Sequence, residues 1–109
     1  MARTIAELTE AMNAFVDAKD WNDPNSPRPQ TLRNLAISLS LESAEVLEHF
    51  QWRDKTPDVL GNIERGGLAS ELADVALYLL QLASVSGIDL EQAIMEKLKL
   101  NYDRTWENR

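Results

Sequence analysis

The stretch LSLESAEVLEHFQW, residues 39–52, decides how this chain is read. Leu39, Val46 and Phe50 recur at helical spacing and mark one apolar stripe. Glu42 stands where that stripe should continue, and Glu45 follows one turn later. Residues three apart on a helix lie about 60° apart around its axis. A helix that buries this face must therefore supply something positive for two carboxylates, or leave them in water.

A second acidic pair repeats the pattern. In ELAD, residues 71–74, Glu71 and Asp74 have the same spacing, beside Leu72, Val75, Ala76, Leu79, Leu82 and Ala83. If the two helices pack antiparallel, four carboxylates meet inside or at the edge of a bundle. Four ionised carboxylates out of water would repel one another and lose hydration, at a cost of several kcal/mol. Magnesium is the natural counter-charge, a hard cation that takes oxygen ligands and leaves room for water and phosphates. Either pair alone reads as the solvated face of an amphipathic helix. Two such pairs on strongly apolar helices point to a metal site as much as to solvated faces. Glu48 continues the series but rotates further away. His49 is the only histidine, so a ferritin-like di-iron bundle, which needs two Glu-x-x-His motifs, is excluded.

The remaining elements also read as helices. Thr4 to Lys19 opens with TIAE, a capping-box pattern, and places Ile5, Leu8, Met12 and Phe15 on one face. The proline-bearing segment at residues 20–30 is a loop. A second helix is predicted from about Thr31 to Trp52. A mixed connector follows, with a short helix after Pro57 that stops by Gly66 and Gly67. A third helix is predicted from Leu68 to about Ser86, capped by Gly87. It is apolar on several sides, so it lies at the centre of a bundle or in an oligomer interface. A fourth runs from Asp89 toward Trp106. No alternation long enough for a sheet occurs, and the fold class is all-α, a four-helix arrangement over a single domain, residues 1–109.

Bulk properties narrow the function. At 109 residues and 44% hydrophobic, one compact domain is expected, with a share of its apolar surface buried against copies of itself. The net charge of −7, from 18 acidic and 11 basic residues, argues against nucleic-acid binding, which needs a basic footprint. The absence of cysteine removes disulfides, zinc-thiolate sites and thiol nucleophiles. No secretory signal is read at the start, and no run approaches the ~18 apolar residues of a membrane span. A cytoplasmic protein without membrane or nucleic-acid partners is the expectation.

Lys97, Asn101 and Arg104 share one face of the fourth helix. An ammonium, an amide and a guanidinium suit phosphate oxygens, although a basic helix end also complements the macrodipole. Trp52 follows Glu45 by seven residues, Tyr78 follows Asp74 by four, and Trp21 closes the first helix. Each is either core or an aromatic placed to stack on a base.

These motifs, in this order, resemble the MazG-like nucleoside triphosphate pyrophosphohydrolases, and more specifically their dCTP pyrophosphatase branch. The likeness runs from Asp20 and Trp21 to Arg104. It rests on RNLAISLSLESAEVLEHFQW, on SELADVALYLLQLASVSGIDL and on the K-x-x-x-N-x-x-R tail. The resemblance implies an all-α bundle completed by assembly into dimers or tetramers. It implies Mg²⁺-dependent cleavage of a nucleoside triphosphate between its α- and β-phosphates, giving the monophosphate and pyrophosphate, with dCTP or a related pyrimidine deoxynucleotide as substrate. Glu42, Glu45, Glu71 and Asp74 match the metal ligands and catalytic acids of the family. Lys97, Asn101 and Arg104 match the triphosphate contacts, and Trp21, Trp52 and Tyr78 match the base pocket.

This chain departs from the family in four places. Leu41 replaces a second Glu found directly before the first motif in many relatives. Thr105 and Trp106 replace a Tyr-Pro. A histidine of some relatives falls near Met12, and the loop from Asn22 to Gln30 looks longer. The last two bear on base selection. The same chemistry on dUTP, on a modified nucleotide or on phosphoribosyl-ATP stays open, as does a non-catalytic helical oligomerisation module.

Overall fold

The computed structural model describes residues 2–52, 56–57 and 60–104. It contains four helices and, among the described residues, no strand: α1 Ile5–Ala18, α2 Leu32–Glu48, α3 Asn62–Val85 and α4 Leu90–Asp103. The all-α, four-helix architecture expected from the sequence is the one observed.

Helix ends follow local chemistry. Thr4 Oγ1 accepts from Glu7 N at 3.1 Å while Thr4 N donates to Glu7 Oε1 at 2.9 Å, the complete capping box. At the other end of α1, Asp20 adopts φ 55°, Asp20 N donates to Asp17 O at 3.0 Å and Trp21 N to Val16 O at 3.1 Å. This is a Schellman turn, and it folds Trp21 back over the last turn of α1. Thr31 caps α2 by accepting from Asn34 N at 3.1 Å, which ends the proline-bearing loop. Gly87, at φ 70°, closes α3 with a second Schellman pair, Gly87 N to Ser84 O at 3.1 Å and Ile88 N to Ala83 O at 2.9 Å. Asp89 caps α4 through Gln92 N at 3.1 Å.

Three boundaries differ from expectation. α2 stops at Glu48 rather than Trp52, because from His49 onward the amides bond three residues back: His49 N to Val46 O, Phe50 N to Leu47 O and Gln51 N to Glu48 O. α3 starts at Asn62 rather than Leu68 and runs straight through Gly66 and Gly67. The reason for one glycine is tertiary: a Cβ on Gly67 would lie 3.1 Å from His49 Cε1, so the residue marks a close approach of two helices and not a stop. α4 ends at Asp103, and Trp106 lies outside the described residues.

α2 and α3 form the main helix pair; α1 packs on α3, and α4 leans on α1. Three contacts fix α2 and α3 as antiparallel. Gln30, just before α2, meets Gln81; Glu42 meets Glu71; His49 meets Gly67. Met12, Val16 and Leu80 form the core, with Ile5, Trp21 and Leu90 against it, and Leu35 is the most deeply buried large side chain. Much apolar surface stays open on the single chain, including Ile37, Leu41 and Leu47 of α2 and Ile63, Leu72 and Leu79 of α3. By length and composition α3 is apolar enough to cross a membrane, although no continuous apolar run marks it in the sequence. It nevertheless carries Glu71 and Asp74 mid-helix and packs against α1 and α2. Carboxylates at the centre of a membrane span are costly.

Candidate functional site

The acids come from the middle of the antiparallel pair. Glu42 and Glu45 project from neighbouring turns of α2, and Glu71 from the facing turns of α3. One carboxylate oxygen of each lies within 4.8 Å of the other two. Asp74, one turn past Glu71, completes the set electrostatically, since its charge acts on both Glu42 and Glu71. Glu45 is exposed and the other three are half-buried.

The site holds unbalanced negative charge. Partial burial raises the Glu42 pKa above its ordinary value, aided by a hydrogen bond with Glu45 and by the charges of Glu45, Asp74 and Glu71. The Glu71 pKa is raised by its hydrogen bond with Glu45, by burial and by the charges of Glu45 and Asp74, while His49 pulls it back down. One oxygen of Glu42 and one of Glu71, both Oε2, are enclosed with no hydrogen-bond donor among the described residues. Enclosed carboxylate oxygens without donors are costly. An all-oxygen set of this kind fits a hard divalent cation, and Glu42, Glu45 and Glu71 could hold one.

Beside the acids lies a cavity of about 600 Å³, within the size range of small-molecule sites. Its walls come from α1, α3 and the turn after α1, and they include Leu8, Met12, Phe15, Trp21, Leu77, Tyr78 and Gln81. Asp74 lines it too, so the acidic set and the cavity share a wall. The Schellman turn of α1 brings Trp21 edge-on to Phe15, with ring centroids 5.4 Å apart and an interplanar angle of 85°. Lys19 Nζ sits 5.9 Å above the Phe15 ring.

The structure thus brings Glu42, Glu45 and Glu71 within reach of one ion, leaves Asp74 beside that group rather than in it, and places Trp21 and Tyr78 in one cavity wall. Trp52 is not among the lining residues and is 86% exposed. Its expected place on the Glu45 face assumed a helix that has already ended at Glu48. Lys97 and Arg104 are exposed and Asn101 is half-buried, and none of the three lines the cavity. They ride on α4, whose main support is α1 rather than the acid-bearing pair. Phe15 and Gln81 line the cavity without having been singled out from the sequence as site residues. The signal for Gln81 was its spacing, since Asp74, Tyr78 and Gln81 fall on one helical face.

The sequence profile of the MazG-like family matches residues 37–108, and the chain belongs to that family. Mouse dCTP pyrophosphatase 1 is 34% identical over 104 residues, 93% of this chain and 58% of the mouse protein. A dATP/dGTP diphosphohydrolase of Salmonella phage PMBT28 is 44% identical over 104 residues, 95% of this chain but 28% of the phage protein. The chain therefore spans little more than half of the mouse relative. The crystal structure of a pyrophosphatase from Archaeoglobus fulgidus DSM 4304 superposes with a TM-score of 0.73 at 34% identity, covering 93% of this chain and 91% of the archaeal one.

Proposed function

We propose that this chain is a Mg²⁺-dependent nucleoside triphosphate pyrophosphohydrolase. In this reading it cleaves dCTP or a related pyrimidine deoxynucleotide to the monophosphate and pyrophosphate and so controls nucleotide pools. The observation that carries the reading is the shared wall: Asp74 belongs to the carboxylate set on one side and to an aromatic cavity on the other. A ligand with an aromatic ring at one end and polyphosphate at the other fits that juxtaposition. The names of the relatives support the same chemistry and differ on the base.

Glu42, Glu45, Glu71 and Asp74 would hold the cation, which when bound supplies charge neutralisation and Lewis-acid polarisation of the phosphates. The chain's own residues do the rest. Phe15, Trp21 and Tyr78 surround the base and exclude water from it. Trp52 offers a further open indole face for the base. A carboxylate of the acidic set accepts the proton of the water that attacks the α-phosphorus. Lys97, Asn101 and Arg104 bind phosphate oxygens, and the two cationic groups offset charge on the departing pyrophosphate. The open apolar faces of α2 and α3 support assembly into a homodimer or tetramer.

Product analysis tests the reading. The chain is incubated with a panel of ribo- and deoxynucleoside triphosphates, with and without Mg²⁺, and the products are separated. Monophosphate and pyrophosphate, formed only with the metal, are expected. Release of inorganic phosphate with a diphosphate, or no turnover of any nucleotide, would overturn the reading.

A further inference from the structure

Gln81 is, among the described residues, the one buried polar side chain, 4% exposed. It sits in a cavity wall that is otherwise almost wholly apolar. A buried amide must find hydrogen bonds, and the partners of Gln81 fix which way it faces. Its Nε2 donates to Gln30 Oε1 at 2.5 Å. The Nε2 of Gln30 in turn donates to the main-chain carbonyl of Arg28 at 2.6 Å. A carbonyl only accepts, so Gln30 keeps its amino group toward Arg28 and its oxygen toward Gln81. Rotating the Gln81 amide would then set two oxygens face to face. The relay therefore holds Gln81 with its nitrogen on Gln30 and its oxygen committed to nothing among the described residues. Gln81 also follows Asp74 by seven residues on the same face of α3, about 10.5 Å along the axis. It stands at the end of the cavity remote from the acids, where the far edge of a base would lie.

We propose that Gln81 is a specificity-determining residue whose Oε1, held as a fixed acceptor by Gln30 and the Arg28 carbonyl, receives the exocyclic amino group of the nucleobase. The cavity then favours bases with an amino group at that edge, cytosine or adenine, over uracil, thymine or guanine. Those keto bases would oppose a carbonyl oxygen to the Gln81 oxygen, and the relay prevents the amide from turning to suit them. This rests on the reading of the chain as a nucleoside triphosphate pyrophosphohydrolase.

The test is kcat/KM for dCTP, dUTP, dATP and dGTP with Mg²⁺, for the unaltered protein, Gln81→Leu and Gln30→Leu, each checked by thermal melting. In the unaltered protein the amino member of each pair, dCTP over dUTP and dATP over dGTP, is the better substrate. Gln81→Leu reduces each ratio by roughly 10- to 100-fold, the loss falling on the amino members. Gln30→Leu leaves the acceptor in place but frees it to turn, so the ratios shrink by less. If Gln81→Leu fails to fold, Gln30→Leu and the unaltered ratios still decide. A uniform loss on all four substrates, with ratios intact, would reduce Gln81 to a tie between α3 and the loop and overturn the proposal. So would a preference of the unaltered protein for the keto members. Absence of turnover on all four by the unaltered protein would instead remove the enzymatic reading beneath it.

Discussion

Glu42 on α2 and Glu71 on α3 hold carboxylate oxygens within 4.8 Å of each other, and each encloses its Oε2 where no donor among the described residues reaches it. Two helices have been brought together at a point where their side chains repel. Ionised carboxylates this close and partly out of water cost stability, and a cation bound between them should relieve that cost.

Mg²⁺ should therefore raise the melting temperature in a saturable way. At a hundredfold excess over the dissociation constant the gain is about 2.7 kcal/mol. Glu42→Gln removes one of the repelling charges. Its metal-free form should melt higher than the unaltered protein, gain little from Mg²⁺ and lose turnover. Asp74→Asn should also lose turnover while its far-ultraviolet circular dichroism stays helical. Near-full activity in either variant would remove the metal assignment.

The raised pKa values of Glu42 and Glu71 set the sign of a pH effect. A carboxyl whose pKa is higher folded than unfolded binds its proton more tightly in the folded state. Its ionisation costs stability above the folded pKa, and that cost is recovered as pH falls through the folded pKa toward the ordinary glutamate range. Without metal, these two residues should make the chain more stable near the ordinary glutamate pKa than at neutral pH. Glu42→Gln should flatten the dependence and Mg²⁺ should reverse it. Melting curves across that range, with and without chelator, would show it; a metal-free profile that rises with pH would contradict it.

The two Schellman turns make opposite predictions. Asp20 holds φ 55° with a side chain, so Asp20→Gly should stabilise by about 0.5–1 kcal/mol. Gly87 holds φ 70°, and a Cβ added there would meet nothing within 4 Å, so Gly87→Ala should cost about 1 kcal/mol through backbone strain alone. Urea denaturation of both variants measures the difference.

Gly66 and Gly67 are neighbours in one helix with different surroundings. A Cβ at Gly66 meets nothing within 4 Å, so Gly66→Ala should gain about 1 kcal/mol from helix propensity. A Cβ at Gly67 meets His49 at 3.1 Å, so Gly67→Ala should gain less or lose stability. Adding His49→Ala to Gly67→Ala should recover the difference. Equal gains at both positions would show that the approach of His49 carries no energy.

Ile37 and Leu41, four apart on α2, are 46% and 62% exposed. Light scattering during gel filtration should find a mass above that of one chain. The double variant Ile37→Lys, Leu41→Lys should shift it toward the monomer. A monomeric unaltered protein would leave these faces unexplained.

Several features were legible because they are local. The Thr4–Glu7 box, the start of the fourth helix at Asp89 and the Gly87 stop each involve residues within a few positions of one another. The acidic pairs were legible for the same reason, since residues three apart on a helix share a face whatever surrounds it. Resemblance to a known family added the roles of residues whose spacing alone left them open. Trp52 leaves the face of Glu45 because α2 ends at Glu48, where the amides change partner, and periodicity along the sequence does not show that point. Gly67 reads as a stop in sequence because its meaning depends on His49, eighteen positions away.

The sequence by itself determined that this chain makes four helices, where three of them cap, and that two of them each carry a pair of carboxylates on a stripe otherwise apolar. Only the tertiary structure decided that α2 and α3 run antiparallel at the height that joins Glu42 to Glu71. It alone set Asp74 in the wall of an aromatic cavity and linked Gln81 to Gln30, 51 residues away. Periodicity along a helix fixes which face is buried. The partner of that face, and the register of the contact, follow from packing among residues remote in sequence.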